Sequence, residues 1–243
     1  MKTSLVAVAA LVGLAAPAPA AERTNPIVVE LFTSQGCSSC PPADAFLGEL
    51  TKRRDVLALA WHVDYWDYIG WKDPFAQPAF TARQRDYGRA LAQRYVYTPQ
   101  MVVDGRLQGV GSERPAIDRL IAQAARQHGL NGASRPSLRL DGGAVRIEGG
   151  MFEASSPAVV WLALFEPESS TRVARGENAG RSLGNYNIVR ELRVLGRYSG
   201  EATSLPLGLD ASAAGKGRAI VVQRETPAGP GPILASLAID PPR

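Results

Sequence analysis

The chain has 243 residues, 45% of them hydrophobic and 21% charged, with a net charge of +4. That is enough apolar side chain for a core and too little net charge for disorder by self-repulsion, and the length favours two ordinary domains. The pI of 9.3 invites a nucleic-acid partner, but acidic and basic residues alternate and no run of five cations exists, which argues against one.

Lys2, the apolar stretch from Leu5 to Ala16 and Ala18-Pro19-Ala20 read as a cleaved secretory signal over residues 1–20, with the mature chain starting near Ala21. The apolar stretch is well short of the roughly 20 residues that span a bilayer, and no later one is longer. The expectation is a periplasmic or secreted protein without a membrane anchor. Its only two cysteines are Cys37 and Cys40, separated by two serines. A bridge across two residues removes little chain entropy, so stapling explains it poorly. The spacing suits a reversible dithiol in which a mixed disulfide on the first sulfur is resolved by the second.

Ile27 to Phe32 is a β-branched, apolar run suited to a buried strand, and Ala43, Phe46, Leu47 and Leu50 mark one face of a helix after Pro41-Pro42. The dithiol therefore sits on a strand-to-helix turn. Cys37 is expected at the helix N-terminus, where the helix end favours the thiolate and makes Cys37 the nucleophile. Val56 to Val63 reads as a second buried strand and Pro78 to Arg94 as a helix. Asp104-Gly105 reads as a turn pairing Gln100–Val103 with Arg106–Val110, and Ser112 as the cap of a last helix closing at Gly129. The order is βαβαββα.

Those elements, with Cys37-Ser38-Ser39-Cys40 on the first turn and Thr98-Pro99 entering the hairpin, resemble the thioredoxin superfamily. The resemblance implies a cis Pro99 lying against the dithiol, where neighbouring backbone such as that of Thr98 pairs with a substrate chain. It also implies that Glu30 is near the place of a buried acid that takes a proton from the second cysteine. The spacing from Glu30 to Cys37 is one residue longer than in thioredoxins, and the competing reading is an outward-facing glutamate on an alternating strand. Gly36 stands where thioredoxins carry Trp, and two serines replace their Gly-Pro pair. Ser38 and Ser39 either hydrogen-bond a Cys37 thiolate or simply fit the turn.

More closely, Phe32-Thr33-Ser34-Gln35-Gly36-Cys37-Ser38-Ser39-Cys40-Pro41-Pro42-Ala43-Asp44, with His62-Val63-Asp64-Tyr65-Trp66-Asp67 and Tyr97-Thr98-Pro99-Gln100, resembles a secreted bacterial family catalogued as domain of unknown function 1223. That resemblance implies an architecture without a reaction.

Residues 64–80 form an insertion holding 6 of the 17 aromatic residues, which either line a groove beside the dithiol or cover the core. His62 with Asp64 and Asp67 is a poor metal set, so no metal and no cofactor is expected. After a linker at 131–136 the pattern changes to short strands: Ser137–Leu140, Ala144–Glu148, Pro157–Glu166, Ile188–Leu195, Gly217–Glu225 and Ile233–Ile239. The expected fold class is thus an α/β thioredoxin-like N-terminal domain over 25–130 and a smaller all-β domain, sandwich or barrel, over 136–243. The segment from Arg172 to Ser182 fails the phosphate-loop test and reads as a solvated loop, with contact to the dithiol face as the alternative.

Three functions follow. The first is a thiol–disulfide oxidoreductase in which Cys37 attacks, Cys40 resolves and Pro99 positions a protein or small thiol or disulfide substrate, with an unidentified redox partner resetting the pair. The second is a copper or other soft-metal module using the same thiolates, with Met101 and His62 as the nearest further ligands. The third is a non-catalytic interaction protein whose bridge is structural.

Overall fold

The computed structural model describes residues 22–150 and 158–239; the expected signal segment and cleavage point lie outside them. Strand β1 (Glu22–Thr24) is followed by β2 (Ile27–Thr33) and, in parallel beside it, β3 (Val56–His62), every residue of both being buried. Burial on both faces is what unbroken apolar runs require. Val29 and Leu31 enter a core with helices α1 (Pro41–Leu50) and α3 (Arg114–Leu130), while Val28 and Phe32 face α2 (Pro78–Ala90). Each helix carries proline in its first turn, where the missing N–H has no partner to lose. Strand β4 (Gln100–Val103) runs antiparallel to β2 and continues through Asp104 and Gly105, both at positive φ, into β5 (Leu107–Val110).

The second half contributes β6 (Ser137–Asp141), β7 (Ala144–Glu148), β8 (Ala158–Arg172), β9 (Ser182–Tyr198), β10 (Thr203–Pro206), β11 (Gly217–Thr226) and β12 (Gly229–Ile239). Nine strands join in the order β1-β12-β11-β8-β9-β3-β2-β4-β5, and β10-β7-β6 form a separate antiparallel sheet. This overturns the expected fold class of a thioredoxin-like α/β domain followed by an all-β sandwich or barrel. Strand occupies 44% of the described residues and helix 23%, and one mixed sheet runs through both halves.

The reason lies in the apolar runs of β8 and β11. Sandwich strands alternate because one face meets water, whereas β8 sends Trp161, Ala163 and Phe165 into the core beside α2 and Val160, Leu162 and Leu164 into a third core. Strand β11 divides in the same way, Ala219 and Val221 against Ile220 and Val222. The three-stranded sheet supplies Leu138, Val145 and Ile147 to that third core.

Strand β9 meets β3 through one parallel bridge, Ala60 beside Ile188, reinforced by Asn187 Nδ2 donating to Ala58 O at 2.8 Å. Behind the sheet a buried network ties the halves together. The Arg83 guanidinium lies 5.0, 5.1 and 4.8 Å from the rings of Trp61, Tyr87 and Trp161, and donates to Glu30 and to Gln223. Replacing Arg83 by Met keeps the volume and leaves the Glu30 carboxylate buried without its cation. Urea unfolding is expected to show a loss of about 3–5 kcal/mol. A loss of surface-pair size, under about 1 kcal/mol, contradicts this role for the network.

Candidate functional site

The turn after β2 is built from backbone. Ser34 O accepts from Cys37 N–H at 3.1 Å, Cys37 O accepts from Cys40 N–H at 3.2 Å, and Cys40 O receives Ala43 and Asp44 N–H at 2.8 and 3.1 Å. Cys40 is the N-cap of α1, so Cys37 stands in the turn just before the helix and not in its first residue. A disulfide joins the two, their Cα atoms 5.4 Å apart. Ser38 and Ser39 are exposed, yet both cysteines are 0% exposed. Ser39 Oγ lies 3.3 Å from Cys37 Sγ, and in the disulfide only the hydroxyl has a hydrogen to donate.

The aromatic insertion packs onto this turn. A Cβ on Gly36 would stand 3.0 Å from Trp66 Cβ, so only glycine lets the two segments approach so closely. Trp66 Nε1 donates to Thr98 Oγ1 at 2.8 Å, which links the turn to the cis Thr98–Pro99 bond, and Pro99 O accepts from Gly111 N–H. Trp71 Nε1 donates to Gln35 Oε1 at 3.1 Å. Phe75 and Phe80 are buried while Tyr68 is exposed, so the insertion both covers core and braces the site.

Gln35 is the hub. Its N–H donates to Asp73 Oδ2 at 2.8 Å, its Nε2 to Asn185 Oδ1 at 2.9 Å, its Oε1 accepts from Trp71, and its carbonyl accepts from Asn178. Asp73 also lies 2.7 Å from His62 Nδ1, so that nitrogen carries the hydrogen, and accepts from Phe75 N–H. Burial pushes the Asp73 carboxyl up, but the attraction of His62 and these N–H donors outweigh it and hold it below its ordinary value.

Asp44 goes the other way. One turn after Cys40 on α1, it is 4% exposed, and burial pushes its carboxyl up to about 7 against the weaker opposing attraction of His62 and the nearby Thr33 and Asn185. Asp44 Oδ1, Thr33 Oγ1, His62 Nε2 and Asn185 Nδ2 are buried and make no hydrogen bond of ordinary length within the protein. A cavity of about 190 Å³, lined by Pro41, Asp44, Ala45, Arg181 and Tyr186 among others, opens beside the carboxyl. Two carboxyl groups held apart in this way separate a proton donor from an anion.

Over the disulfide lies the loop joining β8 to β9. Asn178 is 0% exposed; its Nδ2 donates to Gln35 O and Cys37 O at 3.0 Å each, and its Oδ1 accepts from Arg181. Glu177 Oε2 accepts from Ser38 N–H at 3.1 Å, and the bonds from Ser38 hold that carboxyl below its ordinary value. The segment read as a solvated loop is thus docked on the dithiol face.

Glu30 is 0% exposed and not outward-facing, but its oxygens are bound to Arg83 and to the Tyr87 hydroxyl on the α2 side of the sheet. Of the doubtful metal set, His62 meets the Asp73 carboxylate, Asp64 accepts from the Thr81 hydroxyl and Asp67 accepts from Asp73 N–H, so each is engaged within the protein. Among the described residues no group of three or more His, Cys, Asp or Glu is placed to hold a metal ion. Sequence reasoning missed Gln35, Asp44, Asp73, Asn178 and Asn185. Asp44 had a signal, since it lies four residues after Cys40 and hence on the same helix face; the others are long-range contacts with no local signature.

The model of a protein family of unknown function, DUF1223, matches residues 28–223. Among solved structures, protein AGR_C_4864 from Agrobacterium tumefaciens is 32% identical with a TM-score of 0.73, covering 88% of this chain and 93% of that one. HBP35 of Porphyromonas gingivalis, 14% identical with a TM-score of 0.56 over 88% of this chain and 74% of that one, shares the fold. No curated protein matches the chain.

The raised Asp44 pKa sets a pH dependence. The folded state keeps a proton that the unfolded chain releases, so this contribution to stability is complete below the unfolded pKa near 4 and is lost as pH rises towards about 7. Asp44→Asn removes it. Urea unfolding at about pH 4 and about pH 8 is expected to show the variant gaining on the parent by a few kcal/mol at the higher pH. A difference that does not change with pH means that Asp44 is ionised throughout.

Proposed function

The chain belongs to the DUF1223 family of proteins of unknown function, and we propose that it is an exported thiol–disulfide oxidoreductase working through Cys37 and Cys40. The observation that carries this reading is a two-residue bridge at the N-terminal end of α1, with a proton-holding carboxyl, Asp44, one turn along the same helix. A bridge so short adds little as a staple. Asp44, one turn after Cys40 on α1 and with its carboxyl pushed up to about 7 by burial, is assigned the proton that a departing Cys40 thiolate needs.

In one direction a substrate thiolate attacks Cys37 Sγ, the Cys37–Cys40 bond breaks, and Cys40 leaves as a thiolate that takes up a proton. A second substrate thiolate then attacks the substrate sulfur of the mixed disulfide and Cys37 departs. Two electrons have passed from a substrate dithiol to the pair, and the substrate has gained a disulfide; the reverse sequence reduces a substrate disulfide. Cys37 is assigned the exchange with substrate because it stands in the turn ahead of the helix, with exposed Ser38 next to it, and the Ser39 hydroxyl reaches its sulfur. Thr98-Pro99, braced by Trp66, is assigned the positioning of substrate backbone. Export to a compartment where disulfides persist fits the reading.

The soft-metal reading is not taken up. Met101 is buried in the core with α1 and α3, and His62 Nδ1 is engaged with Asp73. The structural-bridge reading has one observation in its favour, the complete burial of both cysteines.

Single-cysteine variants test the assignment. With a peptide disulfide, Cys40→Ser is expected to accumulate a stable mixed disulfide at Cys37, seen by intact mass, and Cys37→Ser to form it at least about tenfold more slowly. Equal labelling of both contradicts the assigned roles, and no adduct on either contradicts the oxidoreductase reading.

A further inference from the structure

The complete burial of Cys37 and Cys40 conflicts with any reaction at their sulfurs unless something moves. The 173–181 loop is docked on the turn by hydrogen bonds to the backbone of residues 35, 37 and 38. Its foot is tied by Val173 N–H to Arg181 O at 2.9 Å and Gly180 N–H to Val173 O at 2.8 Å, so the loop closes on a hydrogen-bonded base. Gly176 and Gly180, at φ of 76° and 82°, carry the bends between base and tip. Among the described residues the tip makes three hydrogen bonds to backbone outside the loop, Asn178 to Gln35 O, Asn178 to Cys37 O and Glu177 to Ser38 N–H, with the Ser38 side chain also drawing on the Glu177 carboxylate. A Cβ on Gly176 would stand 3.4 Å from Trp71 Cβ and 3.5 Å from Ile69 Cδ1, so the tip lies close to the aromatic insertion.

The three backbone groups that the tip satisfies belong to residues 35, 37 and 38. The tip satisfies them with side chains, a carboxamide donating twice and a carboxylate accepting once. When the tip lifts, Gln35 O and Ser38 N–H lose these partners and Cys37 O keeps only Cys40 N–H, and a ligand that restores the lost bonds recovers the cost. An extended polypeptide carries donors and acceptors at this spacing along its own backbone. A small thiol carries few.

Resting on the oxidoreductase reading, we propose that residues 173–181 are a lid latched by Asn178, and that the substrate is a polypeptide segment that displaces the lid and takes over its bonds to residues 35, 37 and 38. The lid then selects between reductants: a cysteine within a peptide opens the site as it binds, whereas a small thiol waits for spontaneous opening.

The test compares rates of Cys37–Cys40 reduction by dithiothreitol and by a reduced peptide carrying a Cys-X-X-Cys pair, read by alkylation and intact mass. The parent protein is expected to react faster with the peptide. Asn178→Ala is expected to raise the dithiothreitol rate about tenfold, the weight of two hydrogen bonds, and to raise the peptide rate less, so that the preference shrinks. Glu177→Gln, at an exposed position, leaves the fold intact and is expected to raise the dithiothreitol rate two- to threefold by weakening one contact. Fast reduction of parent and both variants at equal rates overturns the lid and leaves the oxidoreductase standing. Failure of either reagent to reduce any of the three folded proteins overturns both.

Discussion

One short junction organises this molecule. Strand β9 meets β3 at Ala60 and Ile188, with Asn187 donating across the joint to Ala58 O. The junction joins β3-β2-β4-β5 of the first half to β9 and the second-half strands, whose far edge also carries β1. With it, β9 continues past the joint over α1, where Tyr186 fills the space left by Gly48, and Asn185 reaches Gln35. The β8–β9 loop is thereby delivered onto the disulfide. Fold and site are consequences of the same pairing.

The chain order and the dithiol turn were legible because their signals are local. The apolar runs of β2 and β3, the Ala43–Phe46–Leu47–Leu50 stripe and the prolines of α1 depend on a few neighbouring residues. The fold class was misread because a run such as Val159 to Phe165 states that both faces are buried without stating what covers them. Here the cover is the α2 side on one face and the three-stranded sheet on the other, brought in from distant sequence. The site divides in the same way. Cys37 and Cys40 announce themselves, whereas Asn178 serves Cys37 O across 141 positions and Gln35 meets Asn185 across 150. Glu30 shows the limit of reading a role from strand position: the sequence left a buried acid and an outward-facing glutamate both open, and Arg83 and Tyr87, which bind the buried side chain, are supplied by α2.

The site combines two opposed requirements. A disulfide that exchanges with a partner needs access, and a carboxyl that keeps its proton near neutrality needs exclusion from water. Burial of Asp44, His62 and Asp73 meets the second requirement, and under the lid proposal the loop docked on Cys37 O is the element whose displacement would meet the first. Gln35 couples the two, because the residue that anchors Asp73 through its N–H holds the loop through its carbonyl.

The central claim is that the Cys37–Cys40 bond is made and broken in the working protein. Its most direct test is equilibration of the folded protein with glutathione redox buffers, reading the fraction reduced by thiol alkylation and intact mass. The account predicts a midpoint within the roughly −120 to −270 mV span of working dithiol proteins. A pair that stays oxidised to potentials below about −300 mV contradicts it and makes the bridge a structural one.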